Sequence, residues 1–299
     1  MQRLRCWLIV CCLLGLATSA HADEQIKWKL KAGDTFYSEE KTETKMEIMT
    51  IGQNIPMEMT NLTISQYTVK EVRDDGSIVI ERVVKKTKNE MSTPMPGADM
   101  DALGKALEGL KFTVTFDKNM NITKLEGYQD LIKRLKEIDE AGAEMLKGMM
   151  PEESLRKTVE ELFGVVPTKT IKVGDTWDRK SSMSLGPMGK LTVDVNYKLA
   201  ELNSAEANIE YTMKMKHDPS NKGDENSPIP FKISKMDVQT GKSKGKLVFD
   251  VAKGRLKKGE NEISMVIKMV ADANGQEIEM EIHQEIKASM KLSDQDPSK

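Results

Sequence analysis

The sequence predicts a mainly β protein of the α+β class: a long curved antiparallel sheet, or open half-barrel, built from a duplicated unit, with a two-helix insertion packed on its concave face. Three observations carry that prediction. Apolar residues recur at every second position over most of the chain. Two stretches, KAGDTF at 31–36 and KVGDTW at 172–177, are nearly the same. A segment between them changes to apolar steps of three and four.

Period two puts alternate side chains on opposite faces of a strand. Leu191, Val193, Val195, Tyr197 and Leu199 alternate with Thr192, Asp194, Asn196 and Lys198. Ile278, Met280, Ile282, Ile286, Ala288, Met290 and Leu292 alternate with Glu277, Glu279, Glu281, His283, Glu285 and Lys287. One face is apolar and one wet, the antiparallel signature. About ten to twelve such strands fit the chain, many longer than the usual five or six residues. A sheet so wide must twist and curl, and its apolar face is expected on the concave side.

The repeated stretch marks the start of each unit, and a second pair of anchors follows in the same order. Phe116-Asp117 with Asn121 matches Phe249-Asp250 with Gly254. The units run from about 25 to 126 and from about 168 to 292. Gly33 and Gly174 are expected to make the entry turns, with Asp34 and Asp175 capping them. Asn121 and Gly254 are expected at positive φ in bulged hairpin turns, where Asp117 and Asp250 accept backbone N–H groups.

Residues 127–166 supply the insertion. Tyr128, Leu131, Ile132, Leu135 and Ile138 lie on one helical stripe that runs on to Met145, Leu146 and Met149, with an interruption near Gly142. Pro151 opens a second helix with Glu152 and Glu153 in its first turn; Leu155, Val159, Leu162 and Phe163 form its stripe, and Gly164 ends it. Neither curved half would cover its own apolar face, so residues 23–299 read as one domain.

The first 22 residues read as a cleaved signal peptide: Arg3 and Arg5, an apolar run from Trp7 to Ala17, and Ala20-His21-Ala22 before the cleavage point. That run is too short for a membrane-spanning helix, which needs roughly 20 residues. Cys6, Cys11 and Cys12 all lie in this leader, which leaves the mature chain without disulfide or thiolate chemistry. Removing Arg3 and Arg5 leaves 43 basic against 47 acidic residues, a balance that offers nucleic acid no electrostatic footprint. The expectation is an exported protein, periplasmic or extracellular, and not an integral membrane protein after cleavage.

No motif names a reaction, and no catalytic, cofactor-binding or metal-binding residue is assigned. Asp34 and Asp175 would need a general acid or nucleophile geometry that nothing in the pattern supplies. His217 and His283 stand apart from other ligands. The acidic loop after His217 puts Lys222 at a ligand position of an EF-hand count and Ile229 where the bidentate Glu belongs. Gly189-Lys190 is followed by Leu191 instead of Ser or Thr, and Ser184 replaces the first glycine of a phosphate loop.

The remaining signal is methionine, 21 residues against an aromatic content of 5%. Met is unbranched and polarizable and adapts to flexible apolar ligands. Phe36, Trp177, Met213, Met215, Met265 and Met280 are the expected lining of an apolar cavity for a lipid or other apolar small molecule. The alternative is a structural or partner-binding cell-envelope protein with no cavity.

The stretches KVGDTW, LGPMGK and PFKISKMDVQTGKSKGKLVFDVAKGRL, with the closing alternating strand, resemble a family of exported bacterial proteins known only as a domain of unknown function. The resemblance covers most of the mature chain and rests on structural turns, so it implies kinship and carries over no catalytic residue. The expected architecture is also similar to the periplasmic lipoprotein-carrier fold, whose apolar concavity holds acyl chains.

Overall fold

Among the described residues, eleven strands in one antiparallel sheet dominate the fold. The computed structural model describes residues 26–92, 100–149, 151–167, 169–185, 189–218, 232–273 and 276–299; the expected signal peptide and most of the loop after His217 lie outside them. The strands are β1 (Thr35–Thr50), β2 (Gln53–Val72), β3 (Ile78–Met91), β4 (Lys111–Phe116), β5 (Ile122–Glu126), β6 (Thr176–Ser184), β7 (Lys190–Leu202), β8 (Glu206–Asp218), β9 (Lys232–Asp250), β10 (Arg255–Ala273) and β11 (Gln276–Ser293). Their spatial order is β5-β4-β3-β2-β1-β11-β10-β9-β8-β7-β6. The first and last strands therefore pair in the middle of the sheet, from Tyr37 with Ser293 to Thr50 with Met280.

The helices are α1 (Met100–Leu107), α2 (Tyr128–Ile138), α3 (Glu140–Met149) and α4 (Glu152–Phe163). The interruption expected near Gly142 falls at Asp139, which leaves helical geometry at φ −151° and separates α2 from α3. Residues 127–166 thus hold three helices. Pro151 is the N-cap of α4, one residue before the position expected for it, and Gly164 is its C-cap.

The two similar hexapeptides fold alike. Gly33 has φ +90° and Gly174 φ +93°. The Lys31 N–H donates to Asp34 Oδ2 (2.8 Å) and the Lys172 N–H to Asp175 Oδ2 (2.9 Å). Gly33 donates to the Val69 carbonyl, and Gly174 to the Leu199 carbonyl, both at 2.8 Å. Each turn then delivers an aromatic that stacks on a tyrosine of the next strand: Phe36 on Tyr67 with centroids 5.2 Å apart, Trp177 on Tyr197 at 5.3 Å.

The second pair of turns differs by one residue. Asp250 accepts the Lys253 N–H and Gly254 takes φ +61°. In the first unit Asp117 accepts the N–H groups of Asn119 and Asn121, and the positive φ belongs to Met120 (+62°), not Asn121. The loop there is shorter, so the left-handed position moves back one place. Asn121 instead donates its side-chain amide to Asp117 Oδ2 (2.9 Å).

The core lies at the turn end of the sheet, on the face touched by α2 and α4, hereafter the inner face. One cluster gathers Phe36, Tyr67, Ile80, Phe112, Phe116, Leu131, Leu135 and Phe163. A second gathers Ile26, Trp177, Tyr197, Leu199, Ile209 and Phe249. Trp28 packs against both, and its indole N–H donates to the Phe163 carbonyl (2.9 Å). Burial of each large apolar side chain contributes roughly 1.5–3 kcal/mol.

One seam interrupts the sheet. Main-chain pairing between β8 and β9 ends at Tyr211 and Gly245. Beyond it the Met213 N–H donates to Ser243 Oγ and the Met215 N–H to Thr240 Oγ1, each at 2.8 Å, while His217 Nδ1 lies 3.0 Å from the Met236 carbonyl oxygen. Side-chain hydroxyls thus satisfy backbone groups that a ladder would have paired.

Candidate functional site

The inner face divides into three tiers along the strands. The turn-end tier, described above, is covered by α2 and α4. A polar belt follows, where residues in phase with the core carry hydroxyls and charges: Ser38 and Glu40 on β1, Thr63 and Ser65 on β2, Arg82 on β3. Ser38 pairs with Ser65, and Tyr67 with Arg82. The distal tier, around the hairpin at Thr50 and Gln53, returns to apolar side chains. There Met46, Ile48, Met59, Met213, Met215, Met280, Ile282 and Ile286 are half-buried, while Ile263 and Met265 are buried.

Of the residues expected to line a cavity, Phe36 (2% exposed) and Trp177 (8%) lie in the covered tier and are filled against by aromatic and helical neighbours. Met213, Met215, Met265 and Met280 lie together on the distal tier, on neighbouring strands β8, β10 and β11 or one removed. The helices leave little room beneath them. The space between α4 and the sheet, lined by Tyr67, Ile80, Arg82, Phe112, Leu155 and Phe163, measures about 50 Å³, against the roughly 300–1,000 Å³ of small-molecule pockets. Larger clefts, of about 800 and 790 Å³, lie along charged residues such as Lys41, Glu43, Lys244, Glu262 and Lys287, and at the distal tip beside Lys235, Lys268 and Glu281. The charged residues of the first cleft alternate with the inner-face residues and lie on the wet face, whereas the distal cleft is also lined by Met236, Met269 and Met280, the last of them one of the residues expected to line a cavity.

The polar belt was missed by reading period two alone. Glu40 follows Phe36 and Ser38 in phase, and Arg82 follows Ile78 and Ile80; a charge at an apolar-phase position was the available signal. Arg82 Nε donates to Ser65 Oγ (3.0 Å), and its guanidinium carbon lies 5.8 Å from the Tyr67 ring centre. Arg82 Nη2 stands 3.8 Å from Glu40 Oε2, with 28% and 33% of the two side chains exposed. Ser38 Oγ donates to Glu40 Oε1 (2.8 Å). On the other side of the aromatic pair, Arg255 lies 4.9 Å over the Phe36 ring and is ion-paired to Asp294. The Tyr67 hydroxyl is pushed up to about 12, first by burial, so it stays neutral and donates.

Asp34 and Asp175 lie in their separate entry turns and are engaged by backbone N–H groups. His217 faces the seam, and His283 pairs with Glu281 at 2.8 Å. Among the described residues no three His, Cys, Asp or Glu side chains gather as a metal site would need, and no helix is long and apolar enough to cross a membrane.

No curated protein matches the sequence. Among solved structures, the chain is similar to lipovitellin, solved in a study of its lipid–protein interactions, at 8% identity and TM-score 0.49 over 89% of this chain; it spans 25% of the lipovitellin chain. OccK5 of Pseudomonas aeruginosa aligns at 8% identity and TM-score 0.24, over 87% of this chain and 98% of that one. A DUF1329 family protein from Desulfovibrio piger ATCC 29098 aligns at 7% identity and TM-score 0.13, over 84% of each chain. The model of DUF6263, a family of unknown function, matches residues 81–256, from β3 through the start of β10. That span is more than half of the sequence, and the chain belongs to the DUF6263 family.

Proposed function

We propose that this is an exported, non-catalytic protein that binds a lipid or other flexible apolar molecule on the distal tier of its inner face. The observation that carries the reading is the partial exposure of that tier: Met46, Ile48, Met213, Met215, Met280, Ile282 and Ile286 share one face and stay half-buried, whereas Phe116 and Phe249 at the turn end are fully buried. Contiguous exposed apolar surface marks an interaction site, and methionine adapts to acyl chains without a fixed shape. The ligand would lie on the open face, since the space under α4 is too small to take it. The matching entry turns support the further reading that the sheet arose from a duplicated unit.

Native mass spectrometry of freshly purified protein, organic-solvent extraction and titration with a fluorescent fatty acyl probe test the proposal. A bound lipid, or a saturable probe signal lost in Met213→Glu and Ile282→Glu, is the expected result. An empty protein with no probe signal would sink it. The second reading, a protein partner covering the same face, is favoured by the filled space under the helices; cross-linking from position 282 to a single envelope protein, with no lipid found, would establish that instead.

A further inference from the structure

The proposed lipid face leaves the ligand's polar end unassigned, and the belt beside it has the chemistry to hold one. Arg82 and Glu40 point inward at the edge of the covered core, where Arg82 also lines the small space under α4, and both remain about a third exposed. Their separation of 3.8 Å is far longer than the roughly 2.7–2.9 Å of a charge-assisted hydrogen bond. Arg82 is steadied at Nε by Ser65 and lies 5.8 Å from the Tyr67 ring centre, while Glu40 is steadied by Ser38 and by the Tyr67 hydroxyl. The outer nitrogens of the guanidinium and the second carboxylate oxygen of Glu40 are thereby turned toward each other without closing a short contact.

Such a pair discriminates by charge. A fatty carboxylate or an anionic phospholipid would satisfy Arg82 but meet Glu40; a cationic amphiphile would satisfy Glu40 but meet Arg82. A headgroup bearing both a phosphate and a primary ammonium satisfies both, with the phosphate taken by the guanidinium fork and the ammonium by the carboxylate.

We propose, on the footing of the lipid-binding reading above, that Arg82 and Glu40 form a headgroup site for a zwitterionic amino-phospholipid whose acyl chain lies over the distal methionines and isoleucines.

The test compares lysophosphatidylethanolamine, lysophosphatidylglycerol and the matching fatty acid, all with one chain length and below their micelle concentrations, by displacement of an acyl probe. Free phosphoethanolamine serves as the headgroup-only arm. The expected order places the ethanolamine lipid first by about tenfold, with no displacement by free phosphoethanolamine, because a charged hydrogen bond adds to but does not replace the apolar contact. Glu40→Gln should erase the preference by improving the glycerol lipid, and Arg82→Gln should weaken both phospholipids by about tenfold while Arg82→Lys restores part of the loss. Thermal melts confirm that each variant is folded, and Glu40→Gln carries the test if Arg82→Gln is not. If no acyl probe binds at all, the lipid-binding reading itself fails. If the three lipids bind alike and neither belt variant alters their order, the headgroup assignment is wrong while the apolar face still stands. Displacement by free phosphoethanolamine alone would show a soluble-anion site and overturn the proposal.

Discussion

The two ends of the sheet use the same strand grammar and reach opposite outcomes. At the turn end, Val69, Phe116, Leu199 and Phe249 are sealed by helices and by the segment Ile26–Leu30. At the distal end, Met213, Met215, Ile282 and Ile286 alternate just as regularly and stay half-open. Period two specifies which face is apolar; it says nothing of what covers that face. Cover comes from the helices and from the segment Ile26–Leu30, gathered at the turn end, and leaves the distal residues half-buried.

The contrast is broken most severely by truncating a sealed residue. Phe116→Ala, at a fully buried position, is expected to cost about 3–5 kcal/mol, whereas Met215→Ala at the open end should cost far less; urea melts of the two variants measure the gap, and equal losses would refute the division into tiers. Next comes the glycine that meets the N-terminal segment. Gly254 has φ +61°, and a Cβ there would lie 2.3 Å from Lys29 Cβ and 2.5 Å from its backbone nitrogen. Gly254→Val should cost about 2–4 kcal/mol from strain and crowding together. Gly33→Ala, with open space around it, should cost only the backbone strain of about 1 kcal/mol.

A smaller effect distinguishes the seam from an ordinary ladder. Thr240→Val removes the hydroxyl that accepts from Met215, leaving that N–H unpaired, and is expected to cost about 1–2 kcal/mol. Faster amide hydrogen exchange at Met215, without change at Tyr211, would localise the loss to the distal half. The smallest effect concerns Asp294, whose carboxyl is held below the usual range first by the hydrogen bond from Lys253 and then by that from Arg255. A depressed carboxyl stabilises the fold above its unfolded pKa of about 3.9 and loses that contribution as pH falls through the folded value. Asp294→Asn should therefore lower the urea midpoint slightly at pH 7, with the difference from wild type shrinking as pH drops below about 4.

Much of this architecture was legible because it is local. The alternation that marked β7 and β11, the helical stripe of Tyr128 to Leu135 and the two entry turns all depend on residues close in sequence. The errors have local reasons too. Asp139, not Gly142, breaks the helix, and the shorter loop after Asp117 moves the positive φ onto Met120. The pairing of β1 with β11 was not legible, since nothing in either strand names so distant a partner. Nor was the belt, because Glu40 and Arg82 acquire meaning only when β1, β2 and β3 are set side by side.

That central pairing also orders events in time. As the chain emerges from the ribosome, β1 can pair with β2 but keeps its other edge bare until β11, the last of the described strands, has been made. An unpaired edge in a long apolar-faced strand recruits other chains, and pairings this distant in sequence form slowly. Synthesis thus passes through a stage in which the sheet is open at its middle, and a holding chaperone through that interval would protect yield without touching the finished structure.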